Sequence, residues 1–225
     1  MKGHMARALV AELIGTALLT AAVVGSGIMG EQLAAGQVAL ALLANTLATG
    51  AALVALILTF APVSGAHFNP AISIAAASQG GLSWSQAAGY STLQIAGAIA
   101  GVAVADYMFG EPIYALSAHV RAGLPFAVSE SVATFGLLAV IWGCSRKRSH
   151  AVPFAVAAYI MAAYWFTPST SFANPAITIA RALTNTFTGI RPLDVPAFIA
   201  AQGLGAAAAT ILFRWLVPSK GSADV

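Results

Sequence analysis

Two seven-residue segments hold the residues best suited to chemistry in this chain. One reads Asn69-Pro70-Ala71-Ile72-Ser73-Ile74-Ala75 and the other Asn174-Pro175-Ala176-Ile177-Thr178-Ile179-Ala180, and they differ only by the exchange of Ser73 for Thr178. Proline suits the first position of a helix, where its missing N–H costs nothing. Asn69 and Asn174 therefore fall at two N-caps, each with a side-chain oxygen for the first turn and an amide NH2 to offer a passing solute. A helix N-terminus carries about half a positive charge. Two such ends facing each other repel cations and leave neutral, hydrogen-bonding solutes free to pass. One Asn-Pro-Ala is ordinary helix-start chemistry; two copies, both in charge-free segments, point to a pore.

The elements that must position these motifs are membrane helices. Charged residues make up 8% of the 225 residues, against about a quarter in soluble domains. None lies between Glu31 and Asp106 or between Arg148 and Arg181. A crossing needs about 20 apolar residues. Apolar runs near 7–29, 37–60, 84–106, 126–145, 151–167 and 194–216 meet that length. Gly and Pro mark the joins, at Gly30 and Gly36, Pro62 and Gly65, Gly80-Gly81, Gly110 to Pro112, Pro125, Gly189 and Pro192. The two motif stretches, near 68–79 and 173–186, are too short to cross and too apolar for solvated loops.

Other features repeat with the motifs. Gln94-Ile95-Ala96-Gly97 answers Gln202-Gly203-Leu204-Gly205, and Glu12 answers Glu130. Half one spans about 7–106 and half two about 126–216, each with three crossings and one short helix. An odd number of crossings per half inverts one half against the other and brings the discontinuous helices to the bilayer midplane. The expected fold is a single all-α transmembrane domain over 1–225, with six spans and two re-entrant half-helices. Lys2, Arg7, Arg146, Lys147, Arg148, Arg214 and Lys220 then share one side, leaving Arg121, Arg181 and Arg191 on the other. That asymmetry puts both termini in the cytoplasm, with the Arg146-Lys147-Arg148 cluster as a solvated loop, and the first span can itself be the insertion signal.

The same residues exclude much. A net charge of +3 on scattered basic residues gives no nucleic-acid footprint. Cys144 is the only cysteine, so there is no intrachain disulfide or cysteine-cluster metal site. His67 has no second ligand at metal spacing and reads as a loop-packing or vestibule residue; His119 and His150 read as solvated loop residues. Trp84, Trp142, Trp165 and Trp215 lie near span ends, as interfacial anchors do. There is no nucleophile–base–acid set, so no enzyme and no cofactor are expected. A secondary transporter would also use inverted repeats and broken helices, and it would need a coupling-ion site that no acid pair supplies.

With both Asn-Pro-Ala boxes, His67, Glu12 with Gly15, Glu130 and the Gln–Gly pairs in place, the chain resembles the aquaporin and aquaglyceroporin family over nearly its whole length. The resemblance implies a homotetramer with one pore per subunit in the cell inner membrane. It implies a pore midplane formed by Asn69, Pro70, Ala71, Asn174, Pro175 and Ala176. It also implies that Glu12 and Glu130 hold the re-entrant loops; a relay of buried acids is the alternative. One position departs from the family. Most members carry an Arg directly after the second box, where this chain has Ile177. Counting back from the boxes puts the other filter positions at Thr49, Ala162 and Ser171, a set with no aromatic, histidine or charge. Such a filter is expected to be wide and weakly polar, as in a bacterial subgroup similar to this chain and associated with arsenic species. Small uncharged solutes such as arsenous acid, methylated arsenicals or glycerol, as well as water, are the expected cargo, with a mainly water-conducting channel as the alternative. Arg181 lies four residues beyond Ile177 and so on the same helix face. It either reaches the pore mouth in place of the missing Arg or snorkels to headgroups or a loop acid.

Overall fold

The structure, a computed structural model, describes residues 2–217, the side chain of Lys2 excepted; Met1 and Lys220 lie outside the described residues. The long helices are α1 (Lys2–Leu33), α2 (Val38–Ser64), α4 (Trp84–Phe109), α5 (Leu124–Ser145), α6 (Val152–Phe166) and α8 (Val195–Leu216), with short helices α3 (Pro70–Ser78) and α7 (Pro175–Arg181) between them. Six helices are long and apolar enough to cross a membrane. α3 and α7 enter from opposite ends and meet N-terminus to N-terminus inside the bundle. The loop-rich end of the bundle is built from residues 110–123 and 182–194, which are cross-linked by Ser117 N–H to Ala182 O at 3.0 Å and Arg191 N–H to His119 O at 2.7 Å. The opposite, basic end carries Arg146 to Arg148 and the start of α1.

The repeated glycines explain how the halves close. A Cβ on Gly97 would stand 2.3 Å from the Leu13 carbonyl oxygen, and one on Gly205 would stand 2.2 Å from that of Ser131. Leu13 and Ser131 follow Glu12 and Glu130, so α1 crosses α4 and α5 crosses α8 at matching levels, in contact close enough to admit only glycine.

Several boundaries differ from the sequence expectation for local reasons. α1 continues through Gly30 to Leu33. Gly30 admits the Ala41 backbone, whose oxygen would be 2.9 Å from a Cβ there. α2 runs past Pro62 to Ser64; the proline sits in the last turn, where few residues remain to be disturbed. α7 ends at Arg181 instead of continuing toward 186, because the Arg181 and Ala182 carbonyls accept from Ile190 and Ser117. Trp142 is not a free interfacial anchor: its indole N–H donates to Thr210 Oγ1 at 3.2 Å. Arg146 is not simply solvated either. It lies over the Trp142 ring and donates to the carbonyls of Phe213 and Val217, neutralising the negative end of α8.

Candidate functional site

Each short helix is preceded by a segment of irregular backbone that a buried carboxylate holds. Glu12 Oε1 accepts from Ser64 Oγ at 2.6 Å and the His67 N–H at 3.0 Å, while its Oε2 accepts from the Phe68 N–H and Gln94 Nε2, both at 2.7 Å. Glu130 repeats the pattern: Oε1 accepts from the Phe172 N–H at 2.8 Å, and Oε2 from the Ala173 N–H at 2.8 Å and Gln202 Nε2 at 2.7 Å. Both glutamines reach on to the repeat's variable residue, Gln94 to Ser73 Oγ and Gln202 to Thr178 Oγ1, each at 2.9 Å. The held backbone needs such ties. Ala66, Phe68, Ser171 and Ala173 all have left-handed φ, between 47° and 51°, a conformation that costs a non-glycine residue roughly 1–3 kcal/mol. Every oxygen of both acids accepts from a scaffold group. That is the work of a brace, with four donors held by Glu12 and three by Glu130.

The two caps are locked to each other. Asn69 Oδ1 accepts from the Ala71 N–H at 2.9 Å, and Asn174 Oδ1 from those of Ala176 and Ile177 at 3.0 and 3.3 Å. Asn69 Nδ2 then donates across to Ala173 O at 2.7 Å, and Asn174 Nδ2 to Phe68 O at 2.8 Å. One N–H of each amide is spent on this exchange and the other is left to the space beside it. That space is a cavity of about 360 Å³ running from Ser145 and Ser149 at the basic end, past both asparagines, to Thr49, Tyr164 and Arg181 toward the loop-rich end. Its walls are mostly aliphatic, with Leu53, Ile57, Val156 and Ile160 among them. The polar groups of its lining include those of His67, Asn69, Asn174 and Ser171. His67 sits in the lining, with Nδ1 3.1 Å from Ser73 Oγ and its ring edge-on to Tyr90.

At the loop-rich end the structure rearranges the expected filter set. Thr49, Ser171 and Ile177 all border the cavity, and Ala162 does not. Ala162 is exposed on the outer face of α6, while Ile160 and Tyr164, one turn apart, face inward. Tyr164 lies with its hydroxyl 3.3 Å from Thr49 Oγ1. The lining therefore contains an aromatic residue. It also contains a charge: Arg181 is 3% exposed, borders the cavity and neither snorkels outward nor meets a loop acid. Its guanidinium carbon stands 3.4 Å from the centroid of the Phe172 ring, and its Nε donates to Thr188 O at 2.5 Å.

Sequence reasoning missed two partners here. Phe172, the platform for Arg181, comes from the loop before Asn174, whose left-handed backbone no periodicity reveals. Arg121, noted only for its charge, lies 5.1 Å from the same ring and donates through Nε to Gly189 O at 2.8 Å and through Nη1 to Ser169 O at 3.3 Å. Burial pulls its guanidinium below the ordinary value, opposed by the charge of Glu130. The arrangement as a whole offers a passage lined by a few hydrogen-bonding groups among mostly apolar side chains, with no acid bordering it.

Comparison with known proteins gives one consistent answer. The family model described as major intrinsic protein matches residues 1–169. The chain is 54% identical over 213 residues to aquaglyceroporin AqpS of Rhizobium meliloti, covering 95% of this chain and 91% of that one. It is 38% identical over 119 residues to probable aquaporin NIP7-1 of Arabidopsis thaliana, covering 53% and 40% of the two chains. In shape it is similar to the X-ray structure of the aquaglyceroporin from Plasmodium falciparum, with a TM-score of 0.72 over 95% of this chain and 98% of that one at 19% identity.

Proposed function

This chain belongs to the major intrinsic protein family, that of the aquaporins and aquaglyceroporins, and from that membership we propose a passage tuned to small neutral polyhydroxy solutes. The family makes it a multi-pass membrane channel for passive flow of water and small uncharged solutes, and not an enzyme. For the finer reading, the observation that carries it is the lining: a few hydrogen-bonding groups, mostly apolar side chains, no acid, and Arg181 as the only Lys, Arg, Asp or Glu among the bordering residues. A polyol exchanges its hydration for the hydrogen-bonding groups and lays its carbon atoms against the apolar side chains, an exchange a cation cannot make. Glycerol fits this description. So does undissociated arsenous acid, with three hydroxyl groups and no charge at neutral pH, and so do its methylated relatives.

In this reading Asn69 and Asn174, with the Pro70-Ala71 and Pro175-Ala176 steps behind them, form the midplane. Thr49, Tyr164, Ser171 and Ile177 form the filter, and Arg181 supplies part of the polarity and cation rejection that position 177 lacks. His67 belongs to the vestibule at the basic end. That end is read as cytoplasmic, since Lys and Arg favour that side, and the loop-rich end as external; the assembly is a homotetramer in the cell inner membrane, as the resemblance implies. Stopped-flow light scattering of reconstituted protein against water, glycerol, urea and arsenous acid at neutral pH tests the reading. Glycerol and arsenous acid are expected to enter faster than into empty vesicles, in proportion to their gradients. Saturable flux that follows an ion gradient would replace the channel by a coupled transporter, and flux of water alone would remove the polyol assignment.

A further inference from the structure

Two arginines, Arg181 buried and Arg121 half-buried, stand together at the loop-rich mouth, and neither makes an ion pair among the described residues. Arg121 and Arg181 approach the same ring, Phe172, with guanidinium carbons 5.1 and 3.4 Å from its centroid. The two carbons are therefore at most 8.5 Å apart, the two distances laid end to end. The acids nearby are already committed. Glu130 is engaged by the loop N–H groups and Gln202, and Asp194 by the Arg121 backbone N–H and the Arg191 guanidinium. Among the described residues Arg191–Asp194 is the only ion pair. Arg181 uses only Nε on the protein, so both its terminal nitrogens lack an acceptor among the described residues. Beside it, Ser171 is 3% exposed, borders the cavity, and its hydroxyl has no hydrogen-bond partner.

Burying a charge without an ion-pair partner in contact is costly, and a guanidinium fork with free N–H groups matches a planar oxyanion bidentately. We propose that Arg181, Arg121 and Ser171 form a binding site for a small planar monovalent oxyanion, nitrate or carboxylate in type, and that its occupancy closes the path to neutral solutes. Arg181 grips two oxygens, Ser171 donates to the third oxygen of a nitrate or to a shared oxygen of a carboxylate, and Arg121 adds its charge from the same ring. Phe172, Tyr164 and Ile177 bound the space and limit the ligand to a few heavy atoms. The inference rests on the cavity being the solute path, because a bound ion blocks only what passes through it.

The test uses the full chain in proteoliposomes and follows glycerol entry with sodium nitrate outside, against sodium gluconate, too large for the site, at equal ionic strength and osmolality. Entry is expected to fall saturably with nitrate in the parent protein. Arg181→Gln is expected to make entry indifferent to nitrate, Arg121→Gln to raise the half-effective concentration about tenfold, and Arg181→Lys, which keeps the charge without the fork, to fall between. Nitrate without effect on the parent up to about 0.15 M, where exposed charges are already well screened, would overturn the proposal. So would equal inhibition of the parent and Arg181→Gln. A parent that passes no glycerol in gluconate speaks instead against the solute reading. The site is then read directly, by nitrate titration of the 15N resonance of Arg181 Nε, where a saturable shift is expected and a flat titration refutes the site.

Discussion

The two halves of this chain are alike where nothing solute-sized can reach and, apart from the paired asparagines and Ile72 with Ile177, different where it can. Glu12 and Glu130, Gln94 and Gln202, Ser73 and Thr178, and Gly97 and Gly205 occupy matching places behind the two re-entrant segments, with near-equal hydrogen-bond lengths. The positions three and two before each asparagine, and three and seven after it, all border the cavity. In the first half they are Ala66, His67, Ile72 and Ala76; in the second they are Ser171, Phe172, Ile177 and Arg181. Turning a short helix back at mid-bilayer requires every backbone donor in the bend to be satisfied, so the brace is built twice. The side chains of Ala66, Ile72, Ala76, Phe172 and Ile177 in that lining hold no backbone group of the bend by a hydrogen bond, and the two halves can differ at such positions without loosening it. The consequence is a passage whose one lining cation, Arg181, comes from the second half, opposite Ala76 at the matching position of the first.

Breaking the brace has the largest expected effect. Glu130→Ala leaves two loop N–H groups and the Gln202 amide without their acceptor, at about 1–3 kcal/mol for each buried donor. That sum reaches the range of a whole domain's stability, roughly 5–15 kcal/mol, so little folded protein should survive extraction in detergent. Glu12→Ala should do the same, since Glu12 accepts four donors. Size-exclusion yield and thermal unfolding measure it. Either variant melting within a few degrees of the parent would mean that the loops hold themselves.

Next in size is the lock between the halves. Asn174→Asp replaces the donor to Phe68 O with a group that donates only while protonated. Burial raises its carboxyl pKa and the two helix N-termini lower it. Whatever the balance, the lock persists below that pKa and is lost above it, where the ionised Asp repels the carbonyl and attracts cations. Bilayer recordings should show a cation current that grows as pH rises, and Asn69→Asp should match it through Ala173 O. Absence of current in both variants up to alkaline pH would show that the half-helix ends do not set cation exclusion.

A third change sharpens the difference in lining. Ile177→Arg puts a second guanidinium one turn from Arg181 and narrows the passage at an apolar wall. Glycerol flux should fall at least about tenfold, equivalent to 1.4 kcal/mol of barrier, with water flux reduced much less. An unchanged glycerol-to-water ratio would take position 177 out of the filter.

Much of this was readable in the sequence because the bilayer constrains it so tightly. Charge-free runs become spans, and the repeated Asn-Pro-Ala becomes two caps facing each other, since no other placement satisfies a half-helix in lipid. The paired Glu and Gln declared themselves by recurring in matching positions. What stayed hidden depends on side chains from unrelated segments converging. Arg181 could be placed on the face of Ile177 by helical spacing, yet its platform, Phe172, and its neighbour, Arg121, come from loops whose paths no period encodes. The length of α7 was also out of reach, because it is ended by loop donors from residues 117 and 190.

The error at Ala162 has a similar origin, and it leads to the subtlest of the expected effects. Counting back from Asn174 treats the connection after α6 as a ruler, whereas a miscount of two residues on a helix is a rotation of about 200°, from the cavity face to the outer face. Tyr164 occupies the inward face, where its hydroxyl meets Thr49 at 3.3 Å, a contact made between the second helices of the two halves. That distance exceeds the usual 2.7–2.8 Å of an O–H···O bond, so the bond lies at the weak end, about 0.5 kcal/mol. Tyr164→Phe and Thr49→Val should therefore leave the protein folded and change solute flux by only about twofold, in the same direction as each other, and the double variant should add nothing further if the shared contact is the cause. Ala162→Leu, adding bulk on the outer face, should change neither flux nor selectivity. Stopped-flow rates for the four variants at matched protein density decide the matter. Selectivity altered by Ala162→Leu and untouched by Tyr164→Phe would turn α6 over and return the filter to the position that counting first gave.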